Sequence, residues 1–265
     1  MLADAGIADK DGNIPHPKNW DDVLDMAAKT TNGEQSGMSI RLFVGSSITS
    51  FYGALKAYRG DVFEDDGTTF VVDTPKSREI LSAWRKGVQN NWISTMTFTD
   101  SNAGRVAYSA GKVAIILESG SRWPEAAPML GSGNVGPLPM PGGMKGGSML
   151  FGSGFAIPKQ SAAPYTAAKF IKEMYLTDVI QSKMMNVYGK QPVLKSAYAF
   201  AAHPGWDQML EAAQHCVPIP HYRELPKFTN ALGDNIQRYL LAQQDLDETI
   251  TAVEESLDSI DKRIY

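Results

Sequence analysis

Trp20, Val23, Leu24 and Ala27 recur at helical spacing behind Asn19, with Asp22 three positions on. This pattern predicts a capped helix over 20–31 that Asn32-Gly33 stops. The run MSIRLFVG (38–45) reads as a strand, and Ser46 or Ser47 opens a helix whose face is Phe51, Ala54, Leu55 and Tyr58. In VFEDDGTTFVVD, Asp66-Gly67 separates two β-prone runs and predicts a hairpin. Thr74-Pro75 starts a helix with the stripe Ile80, Leu81, Trp84 and Val88, ended by Asn90-Asn91. A short helix from about Asp100 to Ala110 comes next. VAIILE (113–118) is too short for a helix and suits a central strand.

From Pro124 to Gly147 glycine and proline dominate, and GSGNVGPLPMPGGMKGG (131–147) predicts a crossing segment with one extended stretch, VGPLPM. SMLFGSGFAIPK is a second apolar strand, interrupted at Gly152-Ser153-Gly154 where another group approaches the backbone. Ser161 is placed to cap a helix that turns Ala167, Ala168, Phe170, Ile171 and Met174 inward. Thr177 opens another that Gly189 terminates. Helices are expected over about 205–215, 224–243 and 246–263, the last with Asp245 and Glu248 as its cap and Ile250, Val253, Leu257 and Ile260 as its stripe. The pattern is that of a helix-rich α/β chain with few strands and no repeat.

Composition narrows the partners more than the fold. The 265 residues are 43% hydrophobic and 20% charged, enough for one large core or two smaller ones. A net charge of -4 without a basic stripe argues against nucleic acid. No stretch is long enough to cross a bilayer, and the opening MLADAGIADKDGNIPHPKNW has the form of no signal peptide. Cys216 is the only cysteine, which excludes an internal disulfide and a cysteine-based metal site and leaves it as a small hydrophobe.

Motifs of catalysis and cofactor binding fail on context. Gly131, Gly133 and Gly136 match G-x-G-x-x-G, but PLPMPGG stands where a helix must start. There is no G-x-S-x-G elbow. His16, His203, His215 and His221 lack the i, i+4 pairing of a helical zinc site, and Glu64, Asp65 and Asp66 lack further ligands at calcium-loop spacing. A carboxylate pair such as Glu118 and Asp100 has no spacing signature to support hydrolysis or group transfer. No cofactor and no metal is expected. What remains is aromatic and polar: Tyr52, Trp92, Trp123, Tyr188, Tyr198, Trp206 and Tyr222 offer faces for the C–H side of a sugar, with core packing the default for any one of them. Ser46, Arg122, Ser153 and Lys190 supply polar groups beside them.

Four stretches, in this order, resemble the family 1 extracellular solute-binding proteins of ATP-binding cassette importers. They are MLADAGI…PKNWDDVLDMAAKTT, SFYGALKAYRGDVFEDDG, AYSAGKVAIILESGSRW, and VGPLPMPGG…GGSMLFGSGFAIPKQSAAPYTAAKFIKEM with the later YGKQP. The second carries Asp61 where the family has a second glycine, and the third has tyrosine for phenylalanine. The resemblance implies a type II periplasmic-binding-protein-like α/β fold. It assigns residues 1–147 and 195–265 mainly to a second lobe and 148–194 to a segment returning to the first, with the rest of that lobe ahead of Met1. SMLFGSGFAI then lacks most of its sheet, leaving an exposed edge and apolar patch.

The implied activity is binding without catalysis. A sugar or oligosaccharide enters an interlobe cleft, and closure creates the surface that the permease subunits recognise. Trp123 matches the tryptophan that stacks on sugars in that family, with Ser121 and Arg122 beside it. One residue inserted between Gly120 and Trp123 leaves either Trp123 or Ser121 at the stacking position. Gly152 and Ser153 match the small-residue strand lining the cleft, and Tyr52, Tyr188 and Lys190 are further ligand contacts. The full-length parent is expected to be a monomer, periplasmic or lipid-anchored outside the cell. Two alternatives stay open: an anionic ligand such as a glycerol phosphate or sugar acid, held by Arg122 and Lys190, and a truncated domain without ligand affinity.

Overall fold

The computed structural model describes residues 1–203 and 205–264. Its strands are β1 (Ser36–Ile40), β2 (Ile93–Ser94), β3 (Val113–Leu117), β4 (Met149–Leu150) and β5 (Val217–Pro218). Its helices are α1 (Trp20–Thr30), α2 (Ser47–Arg59), α3 (Pro75–Gln89), α4 (Ala103–Ser109), α5 (Arg122–Leu130), α6 (Pro164–Phe170), α7 (Asp178–Tyr188), α8 (Trp206–Ala213), α9 (Leu225–Leu240) and α10 (Leu246–Asp258).

Where side-chain chemistry sets a helix end, the element forms as the sequence predicts. Asn19 accepts the Asp22 N–H at 2.8 Å and Thr74 accepts that of Ser77 at 3.0 Å, each satisfying a donor that the first turn leaves free. Asp245 and Glu248 form the reciprocal box at 2.8 and 2.9 Å. Asp22 does not close such a box: its carboxylate accepts from the Lys18 N–H instead. The last helix ends at Asp258, short of the expected 263. The Asp66-Gly67 turn joins a single antiparallel bridge, Phe63 to Phe70.

The main sheet is parallel, in the order β2-β1-β3, with Met38 facing Ile93 on one side and Ile115 on the other. Parallel neighbours need crossovers, which α2 with α3, and then α4, supply. β1 is therefore the central strand, a correction to the expectation for VAIILE. Among the described residues β3 pairs with β1 alone, so Val113 is buried while the residues from 114 to 117 are half-buried. β1 lies so close to α1 that a Cβ on Gly37 would stand 1.8 Å from the Ala27 carbonyl oxygen. Around the sheet, Trp20, Leu24, Ile40, Phe51, Leu55, Trp84, Phe228, Ile236 and Val253 build the core. Gln237 ties α9 to the strand ends by donating to the Leu42 and Phe98 carbonyls.

The structure differs from expectation at further points. Residues 122–130, just ahead of the expected crossing segment, form a helix that the sequence reading did not place. Pro124 falls in the first turn of α5, where an N–H has no intrahelical partner, and only Pro128 removes a bond. SMLFGSGFAIPK keeps only Met149–Leu150 as a strand, paired parallel with β5, because among the described residues no strand lies alongside those from Phe151 onward. The helix beyond it starts at Pro164 with Ala163, not Ser161, at its cap. No residue of α6 is buried, so the expected inward face of Ala167, Ala168 and Phe170 has no core to meet. Ile171 and Met174 belong to a π turn, Ile171–Tyr175, that also buries nothing. A separate small cluster of Trp123, Met185 and Trp206 anchors α7 and α8 to α5.

Candidate functional site

The C-terminal ends of β1 and β3 carry Arg41 and Glu118, side by side because Ile40 pairs with Leu117. Ligands of open parallel sheets gather at these ends, where loops leave the strands. The Glu118 side chain is 3% exposed and faces three guanidiniums: Arg41 at 3.1 Å, Arg105 at 2.8 Å and Arg122 at 2.7 Å. A carboxylate so buried is tolerated because its oxygens accept charge-assisted bonds. Burial pushes the Arg41 guanidinium down from its ordinary value; Glu118 opposes that shift, and Arg105 and Arg122 reinforce it. Arg122 also reaches Glu125 at 2.5 Å. Two carboxylates thus meet three guanidiniums, so the loop end is cationic.

Ser121 lies between this network and α5. It is buried, its hydroxyl is 3.0 Å from that of Ser119, and it occupies the cap position of α5 without capping it through its side chain. The turn that ends α7 comes down on the same residue. Gly189 has φ 61, and a Cβ there would lie 2.4 Å from the Ser121 carbonyl oxygen. This contact brings the loop carrying Tyr188 and Lys190, both exposed, to Ser121, and Gln191 extends it by donating to the Met209 carbonyl at 3.0 Å. Gly120 closes the cluster against the Met209 side chain.

The remaining predicted residues lie elsewhere or face inward. Trp123 is 5% exposed, with Trp206 5.0 Å and His203 6.2 Å away between ring centroids, so it works as a packing ring in this arrangement. Tyr52 is fully buried in the main core, stacked on Phe70 at 4.1 Å. Burial, with smaller contributions from Tyr222, Glu64 and Glu254, pushes its phenol well up. Gly152 and Ser153 are exposed and make no hydrogen bond among the described residues. Arg41 and Arg105 were not singled out by sequence reasoning. Only Arg122, one helical turn after Glu118, had a local spacing to betray the network; the other two arrive through strand pairing and the α4 crossover. A depression of about 440 Å³ lined by Phe43, Val44, Gly45 and Asp234 involves none of these residues.

The profile of the bacterial extracellular solute-binding proteins matches residues 1–213. The chain belongs to that family. Among curated protein sequences none matches it. Its fold is similar to maltose-bound MalE3 of Thermotoga maritima, with a TM-score of 0.73 at 21% identity, covering 94% of this chain and 67% of that one. It is also similar to a Thermotoga lettingae solute-binding protein of an ABC transporter bound with α-D-tagatose, at 0.74 and 21% over 97% and 67% of the two chains. The sugar-binding MalE of Xanthomonas citri gives 0.72 and 18% over 98% and 65%. The architecture is thus that of the type II, MalE-like periplasmic binding proteins, and the solute-binding protein spans about two thirds of the length of these structures.

Proposed function

We propose that this solute-binding protein takes a sugar or oligosaccharide in a cleft between two lobes and delivers it to the permease subunits of an ABC importer outside the cytoplasmic membrane. Family membership over residues 1–213 carries the reading. The neighbours with maltose and tagatose bound support a saccharide as the ligand class. In this reading residues 1–147 and 195–265 form one wall and 148–194 return to the other. Ser121, Arg122, Tyr188 and Lys190 contact the ligand, the buried Trp123 holds their loop from behind, and Gly152 and Ser153 line the facing strand. Tyr52 supports the wall from within its core. Among the described residues no helix is long and apolar enough to cross a membrane.

A saccharide that binds only the folded state raises its stability by about 2.7 kcal/mol at a hundred times its dissociation constant. Thermal unfolding against neutral mono- and oligosaccharides is expected to show an upward shift for at least one, reduced at least tenfold in apparent affinity by Lys190→Ala. No shift with any saccharide overturns the reading. The three guanidiniums at the loop end favour a second reading, an anionic sugar. Its binding weakens with salt, whereas that of a neutral sugar does not.

A further inference from the structure

The extended course of β1 continues past Ile40. The Arg41 N–H donates to the Leu117 carbonyl at 3.1 Å, and the next residues alternate: Arg41 half-buried, Leu42 fully buried, Phe43 exposed. Leu42 therefore turns into the core and Arg41 and Phe43 turn out together. Residues two apart on an extended chain stand about 6.6 Å from one another, close to the span of one sugar residue. Phe43 opens onto the depression of about 440 Å³, an ordinary volume for a small-ligand site, whose other wall is α9 with Asn230 and Asp234. These walls are fixed to each other. A Cβ on Gly233 of α9 would stand 2.4 Å from the Val44 carbonyl oxygen, so only glycine lets the helix come this close. An exposed ring beside an amide and a carboxylate suits a sugar: Phe43 can take its C–H face, and Asn230 and Asp234 its hydroxyls. Arg238, 3.1 Å away, already meets the charge of Asp234.

Arg41 supplies what a neutral sugar does not need. Arg105 uses all three of its nitrogens on Glu118 and Asn102, and Arg122 uses two on Glu118 and Glu125. Arg41 meets Glu118 through Nη1 alone, at an oxygen that it shares with Arg105. Its Nε is buried without an acceptor among the described residues, while the side chain as a whole keeps 28% of its surface exposed. A charged donor left unpaired in that setting is costly, and burial, then Arg105 and Arg122, work against its charge. The Nε–Nη2 edge of a guanidinium matches the two oxygens of a planar carboxylate. Three guanidiniums against Glu118 and Glu125 leave one positive charge. A single carboxylate balances it, whereas a phosphate ester, with close to two negative charges at neutral pH, exceeds it.

We propose that the ligand is a uronate-bearing saccharide whose acidic residue lays its ring on Phe43 between the walls of the depression and gives its carboxylate to Arg41. The proposal rests on the saccharide reading above and names the residue that selects within it.

Calorimetric titration of the full chain tests this with galacturonate, glucuronate and mannuronate oligosaccharides, each beside its neutral counterpart of the same linkage, and with hexose 6-phosphates. At least one uronate is expected to bind tenfold or more tightly than its counterpart, by a margin that shrinks with salt. Arg41→Gln should bring the two within about twofold of each other. Phe43→Ala, at an exposed position, should weaken the uronate at least tenfold, and it keeps the test open should Arg41→Gln not fold. Neutral saccharides bound as tightly as the uronates overturn this proposal and leave the saccharide reading standing; no binding of any saccharide overturns both. A hexose phosphate preferred to every uronate, a preference that survives Arg41→Gln, or an unchanged affinity in Phe43→Ala also overturns it.

Discussion

Glu118 holds its place through the three guanidiniums around it, and removing its charge leaves them facing one another in a half-buried space. Glu118→Gln is expected to cost about 3–5 kcal/mol, the range for breaking a buried pair from one side. Urea denaturation measures it, and a loss below about 1 kcal/mol would mean that the network behaves as a surface pair. Tyrosine sets a limit at the other end of the pH scale. Tyr222 donates to the Thr68 carbonyl oxygen and, chiefly through burial, is pushed up to about 12; the fully buried Tyr52 is raised as well. Since the folded state favours the protonated phenols, their contribution is complete below the ordinary value of about 10 and is lost as pH rises through the raised one. The unfolding midpoint should therefore fall between pH 10 and about 12, with tyrosinate absorbance appearing together with unfolding. Tyr222→Phe should flatten that fall; a midpoint independent of pH over the same span would contradict the assignment.

At the scale of the element, the end of α7 decides how the two loops of the candidate site meet. Gly189→Ala places a Cβ in the left-handed region at a cost of about 1–2 kcal/mol, and also against the Ser121 backbone. A lower midpoint with faster amide exchange at 119–122 is expected. Faster exchange at the α7 end alone would show that the loops are independent. Helix ends were legible because a cap is a local event: Asn19, Thr74, Thr177 and Asp245 each need only a backbone N–H two or three residues away. Strands were legible in composition but not in place. The centre of the sheet went to β1 rather than β3, which no residue of VAIILE could announce, and FGSGFAI has strand chemistry without a neighbour. α5 was hidden by two prolines that read as breakers although one sits where a helix tolerates it. Of the candidate site, the loop at Ser121 and the Gly189 turn could be read from residue types. The partners Arg41 and Arg105 could not, because parallel pairing and a crossover bring them in from distant positions.

Across the whole molecule, packing is uneven. The sheet, α1 to α3, α9 and α10 share one extensive core, whereas the 150–200 region is held mainly by Met185 against Trp123 and Trp206. Regions with few buried contacts open at lower free energy than the rest. Calorimetry is expected to resolve a small transition before the main one, and a single symmetric transition would show that the two parts unfold together. The aromatic pairs allow that difference to be read by light. Trp20 and Trp84 stand edge to face at 5.6 Å in the large core, and Trp123 and Trp206 lie tilted at 5.0 Å in the small one. Indoles this close couple their strong far-ultraviolet transitions, so each pair is expected to contribute its own circular dichroism band. Replacing one ring of either pair by phenylalanine would erase one band and leave the other as an optical clock for the part that remains.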